Sequence, residues 1–224
     1  FRIVQFENTV TRFSSQAVPA TPANIEAGMW FVSKLVAGGG TNIDAAIQAT
    51  FATKHVSGTL PIVVFLSDGQ VGNEGDVIRR IRQHIGETRI YSFGVGTAVN
   101  RYLMDGIAVN GRGYARYIDP TDNASDVAIR FASALKTPVL TDIEVDWGSL
   151  DVADVSPQTV PDLFDGGATT ILARYQTGGK HEIKIKGKVN GVDAELPMEI
   201  DLPSSPTDTA LRALPLIWAR NQIA

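Results

Sequence analysis

Two short polar loops carry the side chains of this sequence that are best suited to bind a ligand. The first is Gly39–Asn42, which contains Thr41, and the second is Ser67–Gly69, which contains Asp68. Together they offer a hydroxyl, a carboxylate and backbone groups freed by glycine, and hard cations such as Mg²⁺ or Mn²⁺ prefer oxygen ligands. One threonine and one aspartate are too few to complete an octahedral shell, so a metal site would need a third loop.

The second loop follows the strand around which the chain is organised. The stretch Leu60–Leu66 is apolar without alternation, a pattern typical of a central strand with helices on both faces of its sheet. Ser67–Gly69 then falls at the carboxyl end of that strand, which is where ligands bind in open α/β sheets.

The rest of the first half predicts a doubly wound, Rossmann-like α/β fold, with a mostly parallel sheet flanked by helices. Thr21 and Pro22 form a typical helix start, and apolar residues recur at helical spacing from Ile25 to Val36. The further strands are expected at Phe1–Phe6, Val10–Phe13, Arg89–Val95 and Ala115–Ile118, with helices after Thr41, Asn73, Asn100 and Asp122.

The pattern changes near Pro138, where apolar residues begin to alternate with acidic and basic ones. This predicts a small antiparallel β module with hairpin turns at Gly178-Gly179 and Asn190-Gly191. A helix is expected to follow from about Asp208 to Ala224, with Leu211, Leu214 and Trp218 on one face. The predicted domains are residues 1–137, 138–206 and 207–224.

Composition excludes several classes of function. The net charge of −4 gives no sign of binding to nucleic acid or to an anionic membrane. The absence of cysteine excludes disulfides, thiolate zinc sites and cysteine nucleophiles. No apolar run reaches the ~18 residues of a membrane span, and no signal peptide is visible. Because the sequence opens directly on a strand, we expect it to be part of a longer chain.

The ordered set of motifs resembles the von Willebrand factor type A domain, and in particular the inter-α-trypsin inhibitor heavy chains and bacterial proteins that join a VIT domain to a type A domain. The resemblance rests on Gly39–Asn42 at the start of a helix, on strand-Ser-Asp-Gly at Leu60–Gly69, and on Phe1–Asn8 as the second strand of the family. Later segments of the same relatives are similar to Thr137–Asp142, Pro161–Phe164 and Leu216–Arg220.

The resemblance implies which residues bind a metal ion. In this family the ligands of a metal-ion-dependent adhesion site come from three places in the chain. They are an Asp-x-Ser-x-Ser loop after the first strand, a later Thr that matches Thr41, and an Asp that matches Asp68. Gly40, Asn42, Ser67 and Gly69 would support these loops. The bound ion, Mg²⁺ or Mn²⁺, would keep one position open for an acidic residue of a protein partner, and the same relatives point to export or the cell surface.

One departure from the family pattern is large, because the Asp-x-Ser-x-Ser loop and its strand are absent from the sequence. In the sheet of family members, this strand lies between the strands that match Phe1–Phe6 and Leu60–Leu66. We therefore expect weak or no metal binding by the isolated chain. We also expect an anomaly in the sheet, either direct pairing of Phe1–Phe6 with Leu60–Leu66, a swap, or a strand from another segment.

Other functions and simpler roles compete with this interpretation. A nucleotide- or phosphate-binding α/β enzyme is disfavoured, because Gly94-Val95-Gly96 lacks the third glycine of a dinucleotide motif and no nucleophile–base pair stands out. A metal-independent structural or interaction domain stays open. Thr41 could instead cap a helix and Asp68 a turn. The remaining residues weighed have ordinary structural or surface explanations: His55, His84, His181, Arg79, Arg80, Arg82, Asp119, Asp122, Trp147 and Trp218.

Overall fold

A computed structural model describes residues 1–36, 38–52, 59–135, 138–164, 168–204 and 213–223 of the chain. The chain forms two compact units, one of Phe1–Gly111 with Ala115–Tyr117 and the other of Arg112–Tyr114 with Ile118–Ala224. The domain limits expected at residues 137 and 206 stay predictions. None of the helices in the described ranges has the length and apolarity needed to span a membrane.

The first unit has the α/β order expected from its sequence. Thr21 caps α1 through a bond from the Asn24 amide, with Pro22 in the first turn, as predicted. The elements are β1 (Val4–Phe6), β2 (Val10–Arg12), α1 (Pro22–Ser33), α2 (Ile43–Phe51), β3 (Ile62–Ser67), α3 (Glu74–His84), β4 (Arg89–Val95), α4 (Arg101–Asn110) and β5 (Ala115–Ile118).

A buried cluster of apolar side chains joins helices of this unit to its sheet. Helices α2, α3 and α4 pack their apolar faces against one face of the β3–β4 pair, which is parallel and in register from Ile62↔Arg89 to Ser67↔Gly94. Burying each of these side chains is worth about 1.5–3 kcal/mol, which fixes the helices on the sheet. The members of the cluster are Ile43, Ile47, Phe65, Val77, Ile81, Ile90, Leu103, Met104 and Ile107.

The opposite face of β3 is exposed. Ile62, Val64 and Leu66 alternate with the core residues and leave 37%, 43% and 56% of their surfaces in solvent. The strand is also at the edge of its sheet, whose order is β3-β4-β5. A long apolar edge strand without charges invites pairing with another strand. The sequence predicted a central strand here, and the described residues leave one edge and one face of it open.

The structure corrects one alternative offered for the N-terminal strand. Phe1–Phe6 does not pair with Leu60–Leu66 in the described sheets; β1 pairs antiparallel with β2 instead, from Val4↔Arg12 to Phe6↔Val10. The three-residue connection Glu7–Thr9 makes this local hairpin favourable, because short closure costs little entropy. Phe6 still reaches β3, since its ring stacks on Phe65 with centroids 5.4 Å apart.

Helix α1 is apolar at the predicted spacing, but that face is open. Its Gly28 lies against the side chains of Phe1 and Ile3, and Phe31 contacts the Phe13 ring at 5.8 Å. Ile25, Met29, Val32 and Val36 are exposed, as is Trp30. An open groove of about 490 Å³ runs between this face and the side chains of Phe1 and Ile3, which precede β1.

The second unit contains α5 and the antiparallel β module. Its two sheets have the orders β11-β10-β6-β8 and β7-β9. Asn190 and Gly191 both have positive φ and form the tight turn expected between β10 and β11. The elements are α5 (Ala124–Leu135), β6 (Pro138–Asp146), β7 (Val152–Ser156), β8 (Leu163–Phe164), β9 (Leu172–Tyr175), β10 (Gly179–Val189), β11 (Val192–Leu202) and α6 (Leu214–Ile223).

Two features of the second unit differ from the sequence prediction. The Gly178-Gly179 pair does not form a hairpin, because β9 pairs with β7 and not with β10. Strands β7 and β8 were not predicted, since Val152–Ser156 is short and interrupted by Asp154. The last predicted helix is observed as Leu214–Ile223, and its expected start near Asp208, with Leu211, lies outside the described residues. Trp218 donates to the Asp154 carbonyl within this unit, 3.0 Å away.

The alternation of charge in the module has a cross-strand explanation. Lysines of β10 face acids on both neighbouring strands, as in Lys186–Asp146 at 2.8 Å and Lys180–Glu199 at 3.1 Å. The hydrogen bond from Lys186 and that from the Gly148 amide lower the pKa of Asp146 below its ordinary value. Because these pairs are exposed, they favour the register of the strands more than they add stability.

Hydrogen exchange provides a test of the open edge of β3. Adjacent amides of a parallel strand point to opposite sides, so one of the Val63 and Val64 amides faces β4 and the other faces the open edge. We expect slow exchange of one and fast exchange of the other by NMR. Adjacent β4 amides, Tyr91 and Ser92, serve as the control because β4 has neighbours on both sides. Slow exchange at both valines would show that another strand occupies the edge.

Candidate functional site

The Thr41 loop is ordered by its glycines and by a helix cap. Gly39 has a φ of +75°, a conformation that glycine adopts without strain. Asn42 caps α2, because its Oδ1 accepts from the Ala45 amide at 3.0 Å. Asn42 is therefore the cap and Thr41 is not. Within the described part of the chain, the half-buried Thr41 side chain makes no hydrogen bond.

The same loop is tied to the β1–β2 turn. The Asn8 Oδ1 accepts from the Gly40 amide at 2.8 Å, and the Glu7 carbonyl accepts from the Asn42 amide at 2.8 Å. These two bonds flank Thr41 on both sides. The bond between Asn8 and Gly40 spans 32 positions, so no local pattern in the sequence could have shown it.

The Asp68 loop forms a compact turn at the end of β3. The Ser67 hydroxyl oxygen accepts from the Gly69 amide at 2.9 Å, which is the local bond expected for this residue. Asp68 Oδ1 accepts from the Gln70 amide at 3.1 Å, an Asx-type turn. Asp68 itself is exposed. Its second carboxylate oxygen is not hydrogen-bonded to any described residue.

Asn100 holds the Asp68 loop from the side. Its amide donates to the Asp68 carbonyl at 2.8 Å, its Oδ1 caps α4 at the Leu103 amide, and its Nδ2 donates to Glu74 Oε1 at 2.8 Å. A β-carbon at Gly69 would lie 3.2 Å from that of Asn100, which explains the glycine. Sequence reasoning found Asn100 as a helix start and missed its contact with the Asp68 loop.

The donor set fits a metal site only in part. Thr41 offers a hydroxyl and Asp68 a carboxylate oxygen, whereas Asn42 and Ser67 use their side chains locally. Over the described ranges, no three His, Cys, Asp or Glu side chains come together as metal ligands. Mg²⁺ tolerates few protein ligands when water completes its octahedron. Two side chains suit the type of ion, but they are too few to hold it firmly.

The glycines after β4 are explained by packing. A β-carbon at Gly94 would lie 2.5 Å from Val99 Cγ1 and 2.8 Å from the Tyr117 ring, so a larger residue cannot fit. Gly96 has a φ of +112°. The close approach accounts for this motif without a dinucleotide.

The other residues weighed from sequence have structural roles where they are described. The Asp119 carboxylate accepts from the Thr121 amide and hydroxyl, which lowers its pKa, and Asn123 is the residue that bonds the first amides of α5. On α3, Arg79 pairs with Asp76 and Arg80 lies 2.7 Å from Asp44. His84 stacks near Phe51 at 6.3 Å, and His55 lies outside the described residues.

Tyr117 contacts two charged residues of α4, Asp105 and Arg101, beside the loop after β4. Its hydroxyl donates to Asp105 Oδ1, and the Arg101 guanidinium lies 3.9 Å from the centre of its ring. Burial is the largest cause that raises the pKa of the phenol, followed by the hydrogen bond to Asp105 and its negative charge. This group holds α4 on β5 and so supports the side of the site that carries Asn100.

Comparison with protein families gives a match to the von Willebrand factor type A domain over residues 1–117. The chain is 29% identical over 199 residues to a von Willebrand factor A domain-containing protein of Dictyostelium discoideum, covering 88% of this chain and 9% of that protein. It is 25% identical over 226 residues to inter-alpha-trypsin inhibitor heavy chain H3 of Mesocricetus auratus, covering 93% and 25%. The chain thus spans a quarter or less of these relatives.

Comparison with solved structures agrees on the fold. A von Willebrand factor type A structure from Catenulispora acidiphila aligns with a TM-score of 0.60 over 90% of this chain and 56% of that chain. The identity of 17% supports a shared fold and nothing finer.

Replacement of Asn42 tests the order of the Thr41 loop. We expect Asn42→Ala to lower the free energy of unfolding by about 1 kcal/mol, because the Ala45 amide loses its cap. Asn73→Ala is the matched control, since Asn73 begins α3 without a side-chain cap bond. Urea denaturation measures both. An equal loss in the two variants would contradict the capping role of Asn42.

Titration of Tyr117 tests the electrostatics of the Asp105 group. We expect its phenol to ionise above the ordinary value of 10.0, and Asp105→Asn to bring that pKa down because the carboxylate charge is lost. Ultraviolet absorbance of the phenolate, with Tyr117→Phe as the subtraction control, follows the transition. A pKa that does not change in Asp105→Asn would mean that burial alone raises it.

Proposed function

Because the chain belongs to the von Willebrand factor type A domain family, we propose that it is a non-enzymatic protein-interaction module that works through a divalent metal ion. Mg²⁺ or Mn²⁺ would bind Thr41 and Asp68. Its remaining protein ligands would come from a loop outside these 224 residues. One contrast carries this proposal. Thr41 and Asp68 each keep a side-chain oxygen without a hydrogen bond to any described residue, whereas the side chains of Asn42 and Ser67 accept local hydrogen bonds.

The shape of β3 supports a contribution from another segment. Its free edge and its exposed side chains Ile62, Val64 and Leu66 suit a further strand. A strand placed there would run beside β3, which ends one residue before Asp68. A loop at its end could then bring hydroxyl or carboxylate oxygens to the same edge of the sheet as Thr41 and Asp68.

The open coordination position would select the chemistry of the partner. A hard cation held by few protein oxygens keeps several waters, and a carboxylate from a partner can replace one of them. The partner would therefore present an Asp or Glu side chain, and affinity would depend on the ion. Neither nucleic acid binding nor membrane insertion is part of the proposal. An exported location is proposed from the resemblance to inter-α-trypsin inhibitor heavy chains.

A metal-independent interaction domain is the second candidate. It is favoured by the small donor set, because two protein ligands hold Mg²⁺ weakly. The enzyme alternative has no comparable observation, since the glycines after β4 are accounted for by the packing of Val99 and Tyr117.

Calorimetric titration separates the two candidates. Mg²⁺ and Mn²⁺ are titrated into the 224-residue chain and into the full-length protein. We expect binding by the full-length protein, weaker or absent binding by the chain, and loss of binding in Thr41→Ala and Asp68→Ala because each removes a ligand. Two variants are matched controls that should bind normally. They are Thr50→Ala in α2, the helix that follows the Thr41 loop, and Asp76→Ala near the start of α3.

The opposite outcomes are equally informative. No binding by the full-length protein would reject the metal mechanism and leave the metal-independent module. Binding that survives both Thr41→Ala and Asp68→Ala would show that the ion is held elsewhere. Retained circular dichroism in each variant is required, so that lost binding is not lost folding.

A further inference from the structure

The turn between β1 and β2 makes specific contacts with the Thr41 loop. Asn8 Oδ1 accepts from the Gly40 amide at 2.8 Å, and the Glu7 carbonyl accepts from the Asn42 amide at 2.8 Å. Thr41 thus lies between two residues whose backbones are held by the same turn.

The fit between the turn and the loop is tight. A β-carbon at Gly40 would lie 2.7 Å from Asn8 Oδ1, and one at Gly39 would lie 2.9 Å from Asn8 Nδ2. Glu7 Oε2 would be 3.1 Å from the same position on Gly39. The glycines therefore serve a second purpose besides backbone freedom, because they let the Asn8 amide group approach the loop directly.

The turn is itself fixed to β3, the strand that precedes Asp68. Phe6, the last residue of β1, stacks on Phe65 with centroids 5.4 Å apart and ring planes at 14°. Phe65 is buried in the core and lies three residues before Asp68. Ile43, two residues after Thr41, belongs to the same buried cluster. The hairpin thus contacts the Thr41 loop by hydrogen bonds, and it contacts β3, the strand that precedes the Asp68 loop, through an aromatic stack.

From this arrangement we propose that Asn8 is a positioning residue, which sets the place of the Thr41 hydroxyl relative to Asp68 through its bond to Gly40. The inference rests on the proposed metal function of these two residues. Asn8 does not touch the ion. It removes alternative conformations of a glycine-rich loop that would otherwise lose conformational entropy when the ion binds.

The experiment compares Asn8→Ala, which loses the acceptor, with Asn8→Asp, which keeps it. Two quantities are measured: exchange of the Gly40 amide by NMR, and the Kd for Mn²⁺ of the full-length protein. We expect Asn8→Ala to speed the exchange and weaken Mn²⁺ binding, each by roughly three- to tenfold, the range of one hydrogen bond. Asn8→Asp should retain both. Asn24→Ala is the matched control, because its exposed Nδ2 bonds only the Pro19 carbonyl.

The outcomes distinguish this inference from the proposed function. Unchanged exchange and unchanged affinity in Asn8→Ala would overturn it, as would equal weakening by Asn8→Ala and Asn8→Asp. A fall in affinity together with a large fall in Tm would also count against positioning, because general destabilisation would explain it. If the wild-type protein binds no Mn²⁺, the metal function fails, and Gly40 exchange alone decides whether Asn8 holds the loop.

Discussion

The packing of three helices against one face of the β3–β4 pair is the constraint on which the first unit depends. Phe65 and Ile90 meet residues of α2, α3 and α4 in one buried cluster. Because side chains in such a cluster are close-packed, the helices cannot slide along the sheet without opening voids. The start of α2 and the end of β3 are consequently fixed, and these are the points from which the two polar loops emerge.

Polar loops rich in glycine cannot order themselves through apolar contacts, and here the order comes from asparagines. Asn8 holds the Thr41 loop, and Asn100 holds the Asp68 loop while it also caps α4 and bonds Glu74. Each asparagine belongs to an element that the core already fixes. A hydrogen bond contributes only about 1 kcal/mol, but this suffices to choose among loop conformations that differ little in energy.

The apolar surface outside the core has a different meaning. The exposed face of β3 and the exposed face of α1 are both long and free of charge over several residues. In a monomeric domain such surfaces are usually covered. A further segment paired with the free edge of β3, as proposed above, would use the place that this strand leaves open.

The sequence by itself determined the α/β class, most element positions and the two loops. Apolar runs such as Leu60–Leu66, the Thr21-Pro22 helix start and the Asn190-Gly191 turn follow from local propensity, which needs no knowledge of distant residues. Tertiary structure alone decided the pairing of β9 with β7 and the roles of Asn8 and Asn100. These depend on which elements become neighbours in space, and that is set by burial across the whole unit, which no short stretch of sequence contains.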